Sequence, residues 1–257
     1  MLQNVLYAAG QESTATTLHW ALLLMARHTD IQKRIHEELD REVSGCELVL
    51  ADRQRLRFTE SVLNEVQRFS GVVPLSAHRT LQEVNFKGYT LPAGTIVLPN
   101  LYAILHDTHI WKDATHFNPD ANFPIDSPDA DALRSLPFGV GRRACIGETL
   151  ARQELFMFFA GILQRFEIAE HPNCPLPSEA IGSGCLIRAP LPFYVCFKPR
   201  EIRWKCFDGW FSDHSILYSA KSFLLFPGII RHNRNSFSCS LIINSSVFFI
   251  MVIHSYY

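Results

Sequence analysis

One cysteine in a glycine-punctuated loop, directly before a helix, is the feature that most constrains this chain. The segment reads FGVGRRACIG over residues 138–147. A helix begins with unpaired N–H groups and the positive end of its dipole, so a thiolate at Cys145 is stabilised there. Gly141 and Gly147 carry no Cβ and permit a large flat ligand to approach closely. Arg143 can pair with an anionic group on that ligand.

A lone thiolate restricts the metals that this loop can serve. Zinc needs three or four protein ligands, whereas haem iron needs one axial sulfur because the porphyrin supplies the other four. The chain has seven cysteines and no C-x-x-C pair, so zinc ribbons, thioredoxin-like sites and a disulfide framework are not expected. A buried structural cysteine is the alternative that the chemistry leaves open.

The loop resembles the F-x-x-G-x-R-x-C-x-G haem-binding loop of the cytochrome P-450 haem-thiolate monooxygenases, animal microsomal type. The specified positions are Phe138, Gly141, Arg143, Cys145 and Gly147. The resemblance implies haem b as the cofactor, with Cys145 as its axial metal ligand. It also implies that Phe138, Gly141 and Arg143 contribute to cofactor binding.

A glutamate and an arginine three residues apart form the second motif. Glu65 and Arg68 project from one face of a predicted helix and can pair. The pair resembles the family's E-x-x-R, a buried structural ion pair, whereas an isolated pair of this kind is ordinarily exposed. The family adds a basic third member in a P-E/D-R-F segment. The corresponding stretch here, residues 119–123, reads PDANF, which has one residue too many and no Arg. We therefore expect this buried network of charged residues to be incomplete.

The third motif, AGQEST at residues 9–14, lies within the first predicted helix. Gly10 weakens a helix, and a Ser or Thr hydroxyl can take a backbone carbonyl, opening a kink. The segment is similar to the family's A/G-G-x-D/E-T-T/S oxygen-activation motif, which implies catalytic roles for Glu12 and Ser13 in proton delivery. Ser13 stands where Thr is usual, and it lacks the β-branch that stiffens the rotamer.

A histidine between the third predicted helix and the first strands is the remaining site candidate. An isolated histidine is ordinarily a structural or surface residue. By resemblance, His78 donates a hydrogen bond to a haem propionate, and its neighbours Val73, Leu75 and Ser76 face the substrate.

Hydrophobic periodicity predicts a mainly α chain with small antiparallel β-sheets, an α+β class that corresponds to the C-terminal part of the cytochrome P-450 fold. Helices are expected from Leu2 to about Arg27, after Asp30 and Thr59 as N-caps, and from near Gly147. Leu150, Leu155, Phe158, Ile162, Leu163 and Phe166 are expected to face the core. Short strands are expected within residues 84–98 and 193–197, and a loop over 117–134.

Composition divides the chain near residue 200. Residues 201–257 hold 10 Ser and 7 Phe but only 1 Pro and 2 Gly, whereas the preceding part holds the remaining 13 Pro and 11 Gly. We therefore interpret residues 1–200 as a C-terminal portion of a cytochrome P-450 domain and residues 201–257 as an unrelated, poorly structured tail. The apolar run Leu241–Ile253 is shorter than the roughly 20 residues that a spanning helix needs.

The resemblance implies a monooxygenase that inserts one atom of O2 into a drug, fatty acid or steroid and reduces the other to water. NADPH-cytochrome P-450 reductase would supply electrons, at the cytosolic face of the endoplasmic reticulum membrane, although the family's N-terminal anchor is absent from this sequence. With 24 Lys+Arg against 25 Asp+Glu, a nucleic-acid partner is not expected. The alternative is a truncated, non-catalytic fragment.

Overall fold

The structure is a computed structural model of the 257-residue chain. It describes residues 2–43, 46–125, 130–179, 182–184, 186–201, 238–243 and 249–254. In this part of the chain the class is mainly α with small antiparallel sheets, as predicted.

Seven α-helices lie in the described residues. The long helices agree with the sequence periodicity, and two short ones, α5 and α6, lie where a loop is predicted. The helices are α1 (Leu2–Arg27), α2 (Thr29–Glu42), α3 (Arg57–Ser70), α4 (Leu101–Leu105), α5 (Pro119–Asn122), α6 (Ala130–Ser135) and α7 (Glu148–Arg165).

The strands form four antiparallel sheets, paired as β1–β4, β2–β3, β6–β7 and β10–β9–β8–β5. The predicted strands within 84–98 and 193–197 are confirmed. In chain order the strands are β1 (His78–Arg79), β2 (Val84–Phe86), β3 (Tyr89–Leu91), β4 (Ile96–Val97), β5 (Phe166–Glu170), β6 (Gly182–Ser183), β7 (Ala189–Pro190), β8 (Phe193–Pro199), β9 (Ser238–Ile243) and β10 (Phe249–His254).

The core lies where α1 packs against α3, α7 and β5. The C-terminal half of α1 is buried on nearly all sides, because helices and strands surround it. Fully buried side chains of this core include Trp20, Leu23, Leu24, Met25, Val62, Val66, Phe156, Ala160, Ile168 and Val195. α7 is part of this packing, so the cysteine loop that leads into α7 is attached to the core through that helix.

The predicted N-caps of α2 and α3 are wrong. His28 occupies the N-cap of α2 and Leu56 that of α3, so Asp30 and Thr59 lie inside the first turns. The first amides of α3 bond instead to Glu38 of α2, whose carboxylate accepts from Phe58 N and Thr59 N at 2.8 Å each. A carboxylate from another helix therefore satisfies amides that a local cap would otherwise bind.

The predicted inward face of α7 is partly wrong. Leu155 and Leu163 are buried as expected, but Leu150 and Phe158 are 60% and 41% exposed. At 100° per residue, the buried positions of α7 share one arc of about 180°, and Leu150 and Phe158 fall outside it. These positions leave apolar surface uncovered near the cysteine loop and along α7.

Two strands lie within the predicted tail. β9 pairs with β8 in antiparallel register, with Phe197 opposite Cys239, and β10 pairs with β9. The apolar run Leu241–Ile253 thus contributes to strands in its described parts. No helix among the described residues is long and apolar enough to cross a membrane. The prediction for 202–237, 244–248 and 255–257 lies outside the described residues, and the division of the chain near residue 200 stays a prediction.

Cysteine pairing differs at one position from the expectation. Cys46 is disulfide-bonded, whereas Cys145, Cys174 and Cys196 carry free thiols.

Candidate functional site

The cysteine loop is a compact turn that ends at the first residues of α7. Cys145 N donates to the carbonyl of Phe138 at 2.8 Å and closes the loop, and Gly147 is the N-cap of α7. Gly139 and Gly141 have φ angles of 76° and 78°, in the left-handed region that favours glycine. An added Cβ at either glycine meets nothing within 4 Å, so both lie against open space.

The thiol of Cys145 is exposed among apolar neighbours. Cys145 is a free, exposed cysteine; Ile146, which follows it, is 93% exposed, and Val140, earlier in the loop, is 70% exposed. An exposed sulfur with apolar side chains and arginines in the same loop suits a large flat group that has an apolar ring, an anionic edge and a metal that takes one ligand from the protein. In the described residues no group of three or more His, Cys, Asp or Glu side chains is placed to hold a metal ion. A single thiolate is what haem iron takes from a protein chain, so the exposed Cys145 fits that group.

Arg143 lies in the short turn Gly141–Arg143 of the same loop. Its side chain is exposed and forms no ion pair with another described residue. A guanidinium in this state can bind an anionic group of a ligand.

Arg152 of α7 joins the cysteine loop to its surroundings. Its guanidinium lies 4.9 Å from the ring centroid of Phe138. It donates to Glu148 Oε1 at 3.0 Å, to the Arg134 carbonyl at 2.7 Å and to Asn64 Oδ1 at 3.2 Å. The loop is therefore linked to α3 through one side chain.

Glu65 and Arg68 form a fully buried, bidentate ion pair on α3. Arg68 donates to the two carboxylate oxygens at 2.7 and 2.8 Å, and neither side chain is exposed. The remaining donors of Arg68 bond to the carbonyls of Leu105, Ala114 and His116 at 2.7–3.0 Å. The pair thus holds the segment between α4 and α5 against α3.

Within the segment 119–123, which lacks the basic residue of the family pattern, a neutral amide bonds to Glu65. Asn122 Nδ2 donates to Glu65 Oε1 at 3.0 Å, and Asn118 N donates to the same oxygen at 2.9 Å. The segment lacks a cation, as the sequence indicates, but the carboxylate is hydrogen-bonded there. The acid of the same segment, Asp120, faces outward and pairs with Arg34 at 2.7 Å.

Burial raises the pKa of Glu65 above its ordinary value, because removal from water disfavours the charged carboxylate. The hydrogen bonds from Arg68, Asn118 and Asn122 act in the opposite direction. A buried carboxylate of this kind depends on every one of its donors.

Glu12 and Ser13 lie in an uninterrupted α1. Ser13 Oγ donates to the Ala9 carbonyl at 2.7 Å, and Thr17 Oγ1 donates to the Ser13 carbonyl at 2.8 Å. Such back-bonding is the expected behaviour of a helical hydroxyl, although the helix continues through it. Glu12 is exposed and Ser13 half-buried. α1 packs directly against α7, which follows Cys145.

His78 lies in β1, opposite Val97 of β4. Its Nε2 is 3.1 Å from Ser76 Oγ, and the side chain is half-buried. Leu75 is 45% exposed, whereas Val73 packs against the core. The structure thus places His78 and Cys145 on separate elements. The second ring nitrogen of His78 and the free thiol of Cys145 can each bind a ligand.

Several residues of this region escape the sequence motifs. Arg152 and Glu148 are four apart on α7, a spacing that signals a helical ion pair but no role in the loop. Asn64 precedes Glu65 and carries no signal. In the sequence, the segment that contains Asn122 is notable only for its lack of an arginine, and the tertiary contacts are needed to identify Glu65 as the partner of Asn122.

The chain is similar over most of its length to proteins of one known family. A family model described as Cytochrome P450 matches residues 2–197. The chain is 40% identical over 193 residues to Cytochrome P450 2D26 of Rattus norvegicus, covering 74% of this chain and 38% of the relative. It is 40% identical over 203 residues to Cytochrome P450 2D15 of Canis lupus familiaris, covering 78% and 40%. The chain thus spans about two fifths of the length of these relatives.

Two solved structures share the fold. A zebra fish cytochrome P450 with abiraterone is 36% identical, with a TM-score of 0.67, and the match covers 74% of this chain and 45% of that one. A zebra fish cytochrome P450 with progesterone is also 36% identical, with a TM-score of 0.69 and coverages of 75% and 44%.

Proposed function

The chain belongs to the cytochrome P450 family, and on that premise we propose that Cys145 is the axial thiolate ligand of haem b. One observation carries the proposal: a free, exposed thiol lies in the turn that leads into α7, two residues after an exposed arginine. Bound haem would supply the binding and activation of O2. Gly141 would let the ring approach the backbone, and Phe138 would hold the loop behind it.

Two cationic or hydrogen-bonding side chains would bind the charged edge of the cofactor. Arg143 is exposed, with no ion pair among the described residues, and can pair with a propionate. His78, hydrogen-bonded to Ser76, would donate to a propionate from the β1–β4 sheet.

Glu12 and Ser13 would deliver protons from solvent to the reacting oxygen. Glu12 is exposed and can exchange protons with water, and the adjacent Ser13 hydroxyl can donate and accept. Ser13 Oγ now donates to the Ala9 carbonyl at 2.7 Å, so proton transfer requires rotation of this hydroxyl away from it.

The proposed reaction inserts one oxygen atom of O2 into a small lipophilic substrate of drug, fatty-acid or steroid type. The other atom leaves as water, with two electrons from NADPH through NADPH-cytochrome P-450 reductase and two protons. Solved relatives with abiraterone and progesterone support a steroid-like substrate. By relationship, we place the reaction at the cytosolic face of the endoplasmic reticulum membrane.

We also propose that residues 1–200 belong to the cytochrome P-450 domain and that 201–257 are an unrelated tail. The end of the family match at residue 197 supports this division.

Turnover with isotopically labelled dioxygen tests the activity. The haem-loaded chain, NADPH, the reductase and progesterone should give a product with one labelled oxygen atom and labelled water. Cys145→Ala should give no product, whereas Cys174→Ala, at another free thiol, should match the wild type. Absence of product from the haem-loaded wild type, or oxygen derived from water, would contradict the proposal.

A further inference from the structure

Arg152 of α7 is one side chain that joins the cysteine loop to two other helices. Its three nitrogen positions each bond to a different acceptor: Glu148 Oε1, the Arg134 carbonyl and Asn64 Oδ1. Only 12% of the side chain is exposed. The planar fork of a guanidinium can serve three divergent acceptors at once, whereas an ammonium on a flexible stem cannot.

A short path of contacts leads from this guanidinium to the thiol. The Arg152 guanidinium lies 4.9 Å from the centre of the Phe138 ring, and the Phe138 carbonyl accepts from Cys145 N at 2.8 Å. Phe138 therefore connects Arg152 with the backbone that carries the sulfur.

A second path leads from the guanidinium to the buried ion pair. Asn64 accepts from Arg152 and is 2% exposed, and it directly precedes Glu65 in α3. Glu148, in the first turn of α7, balances the charge of Arg152 and also accepts from Ser135 Oγ at 3.0 Å. The three acceptors of the guanidinium thus come from three helices, α3, α6 and α7.

We propose that Arg152 is a positioning residue that fixes the cysteine loop against α3 and so sets the direction of Cys145 Sγ. Its consequence for haem ligation rests on the proposed function. Without the guanidinium, the Phe138 ring loses a contact, and the loop hydrogen bond from Cys145 N to the Phe138 carbonyl opens more often. The helices themselves remain packed through their apolar faces.

Amide hydrogen exchange on the haem-free chain tests this directly. In Arg152→Ala, peptides that cover residues 138–147 should exchange about tenfold faster, because a charge-assisted hydrogen bond is lost. Peptides of α1 should be unchanged. Arg165→Ala, at the far end of α7 beside Glu47, is the matched control and should leave the loop protected. Equal loop exchange in wild type and Arg152→Ala would overturn the proposal.

Arg152→Lys provides a second variant that keeps the charge and most of the volume. It should also accelerate loop exchange, because one ammonium cannot replace three hydrogen bonds and the stacking on Phe138. Full protection in Arg152→Lys would overturn the assignment to the guanidinium fork, including where Arg152→Ala does not fold.

The absorption spectrum of the reduced, CO-bound protein separates this proposal from the proposed function. After haem loading, Arg152→Lys should shift intensity from the red-shifted Soret band of thiolate-ligated haem to the band of a displaced thiolate. A spectrum identical to that of the wild type would overturn the positioning role. Faster loop exchange together with no haem binding by the wild type would instead contradict only the proposed function.

Discussion

Asn122 Nδ2 donates to Glu65 Oε1 across 3.0 Å, in a segment that lacks the basic residue of the family's sequence pattern. The same amide group also bonds to the backbone of Asp113, which it contacts through both its nitrogen and its oxygen. The buried carboxylate is therefore held by one guanidinium and neutral donors.

Replacement of Asn122 by Ala should lower the free energy of unfolding by about 1–3 kcal/mol, because buried polar groups on Glu65 and Asp113 lose their partner. Denaturant unfolding of the whole chain measures the change. Asn173→Ala, at an exposed asparagine, is the control and should stay within about 0.5 kcal/mol of the wild type. Equal stability of the two variants would contradict the role of Asn122.

Glu65→Gln should be more damaging, by about 3–5 kcal/mol, because it leaves the charge of Arg68 buried without its counter-ion. The matched control is Asp120→Asn, which breaks an exposed ion pair. The Arg34 side chain of that pair is 44% exposed and the Asp120 side chain 60%. That change should cost at most about 1 kcal/mol. Similar losses for the two variants would show that burial does not distinguish these pairs.

Ser13→Thr should improve the coupling of electron flow to product. The added methyl group restricts the side-chain rotamer, so the hydroxyl spends a larger fraction of the time in the orientation that delivers a proton. The measurement is the ratio of peroxide released to NADPH consumed, which should fall, whereas Ser13→Ala should raise it. An unchanged ratio in both variants would count against a role for this hydroxyl.

Acidification should remove the contribution of Glu179. The hydrogen bond with His28 at 2.9 Å holds the pKa of Glu179 below its ordinary value, and Arg27 adds to the effect. A lowered folded-state pKa stabilises the fold above the pKa of the unfolded chain, and this stabilisation is lost as the pH falls through the folded-state value.

The stability difference between wild type and Glu179→Gln should therefore be largest near neutral pH and shrink below pH 4.5, the ordinary value for this carboxyl. Denaturant unfolding over a series of pH values measures it. Glu167→Gln, at an exposed pair with Lys198, should show a small difference throughout. A difference for Glu179 that grows on acidification would contradict the assignment.

Elements with strong periodicity are those that the sequence predicts well. The apolar stripe of α2, with Ile31, Ile35 and Leu39 buried, identifies both that helix and its inner face. α7 is identified as a helix, but Leu150 and Phe158, two residues expected to be buried, are exposed. The start of α3 is mispredicted because its amides bind Glu38 of a different helix. Periodicity identifies a face but contains no information about the partner that covers it.

The candidate site divides in the same way. Cys145 and the Glu65–Arg68 pair are found by local spacing. Arg152 and Asn122 act through contacts with residues distant in sequence, such as Asn64 and Glu65, so their spacing indicates only a surface pair or a loop.

The reduced, CO-bound absorption spectrum of the expressed chain, loaded with haem, tests the central assignment most directly. Ligation by Cys145 predicts the red-shifted Soret band of thiolate-bound haem in the wild type and in Cys196→Ala, and its loss in Cys145→Ala. A wild type without this band, or a band that survives in Cys145→Ala, would contradict the assignment of Cys145 as the axial ligand.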